Sequence, residues 1–192
     1  MSNVSQKIVE TLIEAGIDHI FTIPGGAMSP IFPALGDYQD RIKVILTRNE
    51  QTASCMAEMY GRLTGKPGVI AGQGPFVASA GLFGLMEGYL TSTPMLALAD
   101  VTEYGSFALH APFQCGTGDY GGLDLKEIFK GTTKFVTVAT SPLEAVQGVQ
   151  LAIKHAVSGR PGPTACLFRV PSLKGELTAE NLARIFPISK YL

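Results

Sequence analysis

The apolar residues of this chain follow two different spacings. Near the start, Val4, Ile8 and Leu12 recur at helical spacing and Gly16 follows as a stop signal, so we predict a first helix there. Short apolar runs then recur along the chain, with segments of helical length between most of them. The predicted strands are His19 to Ile23, Val44 to Thr47, Val69 to Ala71, Met95 to Ala99, Phe135 to Val138 and Ala165 to Phe168.

This alternation predicts the fold class. Strands that are separated by helices need crossover connections, which favour parallel pairing. We therefore predict an α/β fold, a three-layer doubly wound sheet of about six mostly parallel strands with helices on both faces. One domain is expected over residues 1–175, with a more polar tail over 176–192. Because such sheets bind ligands at the carboxyl ends of their strands, function is expected in the loops there.

Composition narrows the classes of function. The chain has 15 Lys and Arg against 16 Asp and Glu and no basic cluster, so a nucleic-acid partner is not expected. Its three cysteines are far apart in sequence, which suits the cell interior better than a disulfide framework. No run approaches the roughly 18 apolar residues of a membrane span, and the start lacks a signal-peptide pattern. We expect a cytoplasmic protein that does not contact a membrane.

A glycine-rich turn offers one candidate site. The stretch "GVIAGQGPFVASAG" has the order strand, glycine turn and helix that phosphate-binding loops use. Gly72 and Gly74 occupy two positions of a GxGxxG pattern, but Val77 occupies the third and no P-loop lysine follows. A structural turn is therefore favoured, and nucleotide binding stays as an alternative.

A lone acid offers a second candidate site. Glu50 stands where the predicted strand ending at Thr47 gives way to a helix. A carboxylate in a first helical turn is favoured by the helix dipole, and this alone would explain the residue. A carboxyl at a strand end between apolar helices would also be partly desolvated and able to hold or share a proton. Both interpretations stay open on local grounds.

Several motifs together resemble one family. These are "GIDHIFTIPGG", "RNEQTASCMAEMYGRLTGKPGV", "GQGP", "TSTPMLALA", "APFQ" and "SGRPGPTACLFRVP", in this order. In that order they resemble the pyrimidine-binding domain of thiamine diphosphate enzymes of the acetolactate synthase type. The resemblance extends from about Gln6 to Pro171, nearly the whole chain.

The resemblance implies a role for Glu50. In the family, a glutamate at this place hydrogen-bonds the N1′ nitrogen of the cofactor's aminopyrimidine. The shared proton helps the cofactor to lose the C2 proton of its thiazolium ring and so to become a nucleophile. By this resemblance Glu50 is catalytic and the cofactor is thiamine diphosphate.

The resemblance also implies other site residues. The cofactor pocket would include Pro24, Gly25, Gly26, Glu50, Gly74 and Pro75. Substrate contacts would come from Phe76, Phe113 and Gln114, and the Gln114 amide would be a second catalytic group. A simple tight turn at Pro24 and an ordinary loop pair at Phe113 are the competing explanations. Two positions depart from the family: Phe76 replaces the glycine of Gly-Pro-Gly, and Cys115 replaces an acid after the Phe-Gln pair.

A partner chain is expected as well. Family members bind Mg²⁺ and the diphosphate through a second domain marked by Gly-Asp-Gly, whereas both Gly-Asp pairs here are followed by Tyr. No residue of this chain is expected to ligate the metal. The resemblance implies a split enzyme in which a separate diphosphate-binding subunit holds Mg²⁺, assembled as a heterotetramer. The helices "ASCMAEMYGRL" and "LFGLMEGYL" are the expected interface, although packing within the domain explains them nearly as well.

The expected function is that of an acetolactate synthase-like subunit. It would act in decarboxylation and carboligation of a small 2-keto acid, and would be active only with its diphosphate-binding partner. One alternative is the subunit of a split 2-keto acid decarboxylase of the sulfopyruvate type. Another is a non-catalytic scaffold or regulatory subunit. The alternatives differ in whether the assembled protein forms acetolactate, only an aldehyde, or no product.

Overall fold

A six-stranded parallel sheet forms the centre of the protein, in the strand order β3-β2-β4-β5-β7-β6. The computed structural model describes residues 2–101, 115–119, 121–178 and 184–190. The strands of this sheet are β2 (His19–Thr22), β3 (Lys43–Leu46), β4 (Gly68–Gly72), β5 (Met95–Asp100), β6 (Phe135–Ala139) and β7 (Pro163–Phe168). The predicted doubly wound α/β fold is confirmed, and every pairing in this sheet is parallel.

Helices cover both faces of the sheet. They are α1 (Val4–Glu14), α2 (Ile31–Asp37), α3 (Glu50–Thr64), α4 (Gly74–Val77), α5 (Leu82–Thr91), α6 (Leu125–Lys130), α7 (Pro142–Val157) and α8 (Val170–Lys174). The core residues of α1, α2, α7 and α8 pack on one face, and those of α3, α4, α5 and α6 pack on the other.

Alternation along the central strands divides the core into two layers. In β5, Leu96 and Leu98 belong to one layer while Met95 and Ala97 belong to the other, and all four are fully buried. Successive side chains of a strand point to opposite faces, so a strand covered on both faces must be apolar throughout. Burial of a large apolar side chain contributes about 1.5–3 kcal/mol. The unbroken apolar runs of the sequence are therefore the strands that are covered on both sides.

A second, two-stranded sheet joins the start of the chain to the segment that follows α8. Strand β1 (Ser2–Asn3) pairs antiparallel with β8 (Glu176–Leu177). Leu177 is 1% exposed and packs into the core layer beneath α1 and α7. The sequence pattern did not predict this pairing, because strands of two residues leave no periodic signal.

Helix α3 is defined at both ends by local chemistry. Asn49 is extended, and its side-chain oxygen accepts a hydrogen bond from the backbone N–H of Thr52 at 2.7 Å, which satisfies one of the unpaired groups of the first turn. At the other end, Gly65 has φ +71°, in the left-handed region that glycine adopts without strain. Glu50 is thereby fixed as the first residue of the helix.

Candidate functional site

The strand order reverses between β2 and β4. The chain passes from β2 to β3 on one side and then to β4 on the other side, so the order reverses at this point. In open α/β sheets, ligands bind outside the carboxyl ends of the strands at such a reversal. The candidate residues that follow β2, β3 and β4 all belong to this edge of the sheet.

Glu50 lies at this reversal. Its Cγ is 4.0 Å from the position that a Cβ on Gly72 would occupy, at the carboxyl end of β4. The backbone oxygen of Ile23, just beyond β2, is 3.9 Å from the same position. The Glu50 side chain is partly exposed, and no described residue bonds to its carboxylate. The acid that follows β3 thus lies beside the carboxyl end of β4, with its oxygens available to a ligand.

The turn after β2 exposes backbone at the same edge. Pro24 is exposed, and a Cβ added at Gly25 would meet nothing within 4 Å. At Gly26, φ is +62° and a Cβ would lie 2.8 Å from the Gln73 Cγ and 2.9 Å from an Asp100 carboxylate oxygen. Gly26 must therefore be glycine for both its backbone conformation and its packing, whereas Gly25 leaves open space beside the backbone.

The glycine in the turn after β4 is explained by close packing against β5. A Cβ at Gly74 would lie 1.8 Å from the backbone oxygen of Asp100, so helix α4 can begin here only because this side chain is absent. Pro75 occupies the first turn of α4 and is partly exposed. Phe76 is 51% exposed, so its ring is available at the surface of this short helix. The close approach of Gly74 to β5 accounts for that glycine without a ligand.

The sequence reasoning did not single out two further residues of this edge, Asp100 and Gln73. Asp100 is fully buried at the carboxyl end of β5, and its carboxylate lies against Gly26. The Gln73 side chain lies on the same glycine. The sequence carried a signal for Asp100, because it is a single acid at the end of an apolar strand. Glu50 likewise follows the end of a strand. Gln73 carried no such signal, because its contact with Gly26 depends on the long-range pairing of β2 with β4.

Part of the predicted site lies outside the described residues. Phe113 and Gln114, the implied substrate contacts, are in this part of the chain, and their roles stay predictions. The described chain resumes at Cys115, which is buried with its Sγ 3.4 Å from the Thr117 hydroxyl. Among the described residues, no group of three or more His, Cys, Asp or Glu side chains is arranged to hold a metal ion.

Comparison with known proteins identifies the family. Residues 2–119 match the family described as "Thiamine pyrophosphate enzyme, N-terminal TPP binding domain". The chain belongs to this family. The resemblance noted in the sequence is thereby confirmed, and the α/β fold is that of a thiamine pyrophosphate enzyme N-terminal domain.

The curated relatives of this thiamine pyrophosphate enzyme domain include acetolactate synthases. The chain is 34% identical over 162 residues to the "Acetolactate synthase isozyme 2 large subunit" of Escherichia coli, covering 84% of this chain and 28% of that protein. It is 32% identical over 160 residues to the "Acetolactate synthase large subunit" of Corynebacterium glutamicum, covering 83% of this chain and 24% of that protein. This chain therefore spans about a quarter of the length of these relatives.

In these relatives the matched region is one part of a larger chain. No helix in the described ranges combines the length and the apolar character that crossing a membrane requires.

Proposed function

We propose that this chain forms the pyrimidine-binding half of a thiamine diphosphate site and that Glu50 activates the cofactor there. The observation that carries the proposal is the position of the Glu50 carboxylate at the reversal of strand order. Its oxygens have no described protein partner, so they are available to a ligand. Membership of the thiamine pyrophosphate enzyme family supports this choice of cofactor.

The residues at this edge fit a flat ring with a basic nitrogen. The Glu50 carboxylate can accept a hydrogen bond from a protonated ring nitrogen and can exchange that proton with it. Gly25 on the neighbouring turn presents backbone without a side chain, and a Cβ there would meet nothing within 4 Å. Such open backbone suits the close approach of a planar group. When bound, thiamine diphosphate would supply the carbanion chemistry, and this chain would bind and orient the ring and hold its proton.

We propose that a separate subunit holds the diphosphate end of the cofactor and its Mg²⁺ ion. The support is an exposed surface on the paired helices α3 and α5, which we name the α3–α5 apolar surface. Its members share a large apolar side chain that is at least 38% exposed: Met56, Met59, Leu63, Phe83, Met86, Tyr89 and Leu90. Large apolar side chains exposed in such numbers on two neighbouring helices are typical of a protein interface.

The two helices that carry this surface pack closely, and an exposed ion pair between Arg62 and Glu87 joins them. The backbone N–H of Gly84 in α5 donates to the Ser54 hydroxyl of α3 at 3.1 Å, and a Cβ on Gly84 would lie 2.4 Å from the Ser54 backbone. The missing side chain brings the helix axes together. The proposed partner would cover both helices, and two such pairs would form the heterotetramer.

The proposed substrate is a small 2-keto acid, and the proposed reaction is decarboxylation followed by carboligation. The support is the similarity to proteins named as acetolactate synthases. A split 2-keto acid decarboxylase is the second candidate, because Phe76 is half-exposed at the pocket edge where the family has glycine, and a bulky ring there would restrict a second substrate.

Calorimetry on purified protein tests the proposal. The chain would be co-expressed with the product of its neighbouring gene, and thiamine diphosphate with Mg²⁺ would be titrated into the pair and into this chain alone. We expect binding by the pair and little or none by the chain. Absence of binding by both would overturn the proposed function.

Product analysis separates the candidate reactions. With pyruvate as substrate, the pair would form acetolactate if it is a carboligase and acetaldehyde if it is only a decarboxylase. A scaffold role instead predicts an assembled pair whose activity is unchanged by the substitution Glu50→Gln. The double substitution Leu63→Gln and Leu90→Gln should prevent assembly while leaving the isolated chain folded, since both side chains are more than 70% exposed.

A further inference from the structure

A cleft lies at the opposite edge of the sheet, where the strands begin. It has a volume of about 370 Å³ and is bounded by the residues just before β6, the end of α7 and the loop that leads into β7. Lys134, His155 and Arg160 line it. These three basic side chains come from separate segments of the chain and meet at one concave surface.

Backbone oxygens hold the Lys134 and Arg160 side chains of this cleft in place. Lys134 Nζ donates to the backbone oxygens of Ser158 at 2.9 Å and Arg160 at 2.5 Å. The Arg160 guanidinium donates to the Ser92 hydroxyl at 2.7 Å and to the backbone oxygens at the end of α5 at 3.3 Å. Each side chain keeps at least one N–H beyond these bonds, since an ammonium has three donors and a guanidinium five.

The cations of this cleft lack the carboxylate partners that some other cations of the protein have. Lys7 pairs with Glu10 at 2.5 Å, Lys66 with Asp18 at 2.7 Å and Arg62 with Glu58 at 2.7 Å. Among the residues that the structure describes, no Asp or Glu lines the cleft, and Lys134 and Arg160 bond to neutral oxygens. Carbonyls that they bind stand at the C-terminal ends of α7 and α5, whose partial negative charge offsets part of the positive charge. No carboxylate among the described lining residues neutralises the rest.

His155 adds a group that responds to this positive field. Its ring stacks on Phe135 with centroids 4.2 Å apart. Burial lowers the pKa of His155, and the charges of Lys134 and Lys154 lower it further. The imidazole is thus neutral near pH 7 and becomes easier to protonate when a negative ligand offsets the neighbouring cations.

We propose that this cleft binds a small oxyanion of the phosphate or carboxylate type, held by Lys134 and Arg160 with His155 at its side. The anion would replace the carboxylate partners that these cations lack, through charge-assisted hydrogen bonds from N–H groups that are already anchored. The site is separate from the Glu50 edge, so it stands whether or not the proposed cofactor chemistry is correct.

Nuclear magnetic resonance on the isotopically labelled chain tests this site. Inorganic phosphate would be titrated at constant ionic strength, with chloride as the matched salt. We expect saturable shifts of the Gly159 and Arg160 amides and of the His155 ring protons with phosphate and not with chloride. The His155 pKa should rise in the phosphate-bound protein. Equal responses to both salts, or saturable shifts confined to other residues, would overturn the proposal.

Substitutions assign the effect to the cleft. Lys134→Gln should weaken phosphate binding about tenfold because it removes a charge-assisted contact. Lys126→Gln is the matched control, since Lys126 is exposed on α6 and does not line the cleft. It should bind phosphate as the unsubstituted chain does. If Lys134→Gln loses stability, the His155 titration in the unsubstituted chain still decides the question, because it needs no variant.

Discussion

Replacing Glu50 with Gln separates a helix-stabilising role from a chemical one. Gln keeps the size of the side chain and removes its charge. Glu50 is the first residue of α3, where a carboxylate gains about 0.3–1 kcal/mol from the helix dipole. No described residue bonds to the carboxylate, so the substitution leaves no buried partner unsatisfied. The free energy of unfolding should therefore fall by no more than about 1 kcal/mol.

The expected loss of activity is much larger. Proton transfer by a positioned side chain accelerates a reaction about 10²- to 10⁴-fold, and the Gln amide cannot perform it. Urea unfolding of the isolated chain measures the first quantity, and pyruvate turnover by the reconstituted pair measures the second. The proposed role predicts a small change in stability together with a loss of turnover of about two orders of magnitude or more.

Glu127 provides a control, because it is also an acid in the first turn of a helix. It lies in the first turn of α6 and pairs with Lys130 at the surface. Glu127→Gln should cost a similar fraction of stability and leave turnover unchanged. Full turnover by the Glu50→Gln pair would refute the chemical role. A loss of stability above about 2 kcal/mol would show instead that Glu50 has a structural partner.

Three further substitutions test the packing and electrostatics of the fold. Gly74→Ala should lower the free energy of unfolding in urea by about 1–3 kcal/mol, because its Cβ would lie 1.8 Å from the Asp100 backbone oxygen. Gly36→Ala in α2 is the control and should not destabilise the chain, because its Cβ would meet only a side-chain atom at 3.9 Å. Arg62→Gln should lower the urea midpoint of unfolding, because it removes the cation that pairs with Glu58, which is 4% exposed. Burial raises the pKa of Asp18, but hydrogen bonds from Lys66, Tyr60 and His19 outweigh it and hold this pKa below its ordinary value. Asp18 therefore stabilises the fold above about pH 4 and loses this effect as the pH falls, so Asp18→Asn should show a shallower loss of stability in acid-unfolding curves.

The sequence predicted the strands well because covered parallel strands are continuous apolar runs. β4 and β5 are buried at every position. The observed β4 is one residue longer than predicted at both ends, and β5 is one residue longer at its carboxyl end. The predicted strand from His19 ends in the structure at Thr22, one residue early, since the residue before Pro24 leaves the ladder. β3 was harder to delimit, because it is an edge strand and Leu46 is 70% exposed.

The site was only partly predictable for a physical reason. Glu50 and the Pro24–Gly26 turn could be placed at strand ends, because the local pattern of strand and turn defines that edge. The contacts of Gly26 with Gln73 and Asp100 depend on how β2, β4 and β5 are ordered, and strand order has no local signal. The cleft of Lys134, His155 and Arg160 was invisible for the same reason, since its cations are separated by helix α7.

Helix α3 connects the two parts of the proposed function. Its first residue is Glu50 at the candidate pocket, and its outer face contributes Met56, Met59 and Leu63 to the α3–α5 apolar surface. These side chains recur at helical spacing, so they lie along one stripe of a rigid element that is capped at both ends. A partner that covers this stripe would fix the orientation of the helix that positions the carboxylate. On the proposed arrangement, partner binding and cofactor activation therefore depend on the same helix, and loosening of the interface should weaken the cofactor site even when Glu50 is intact.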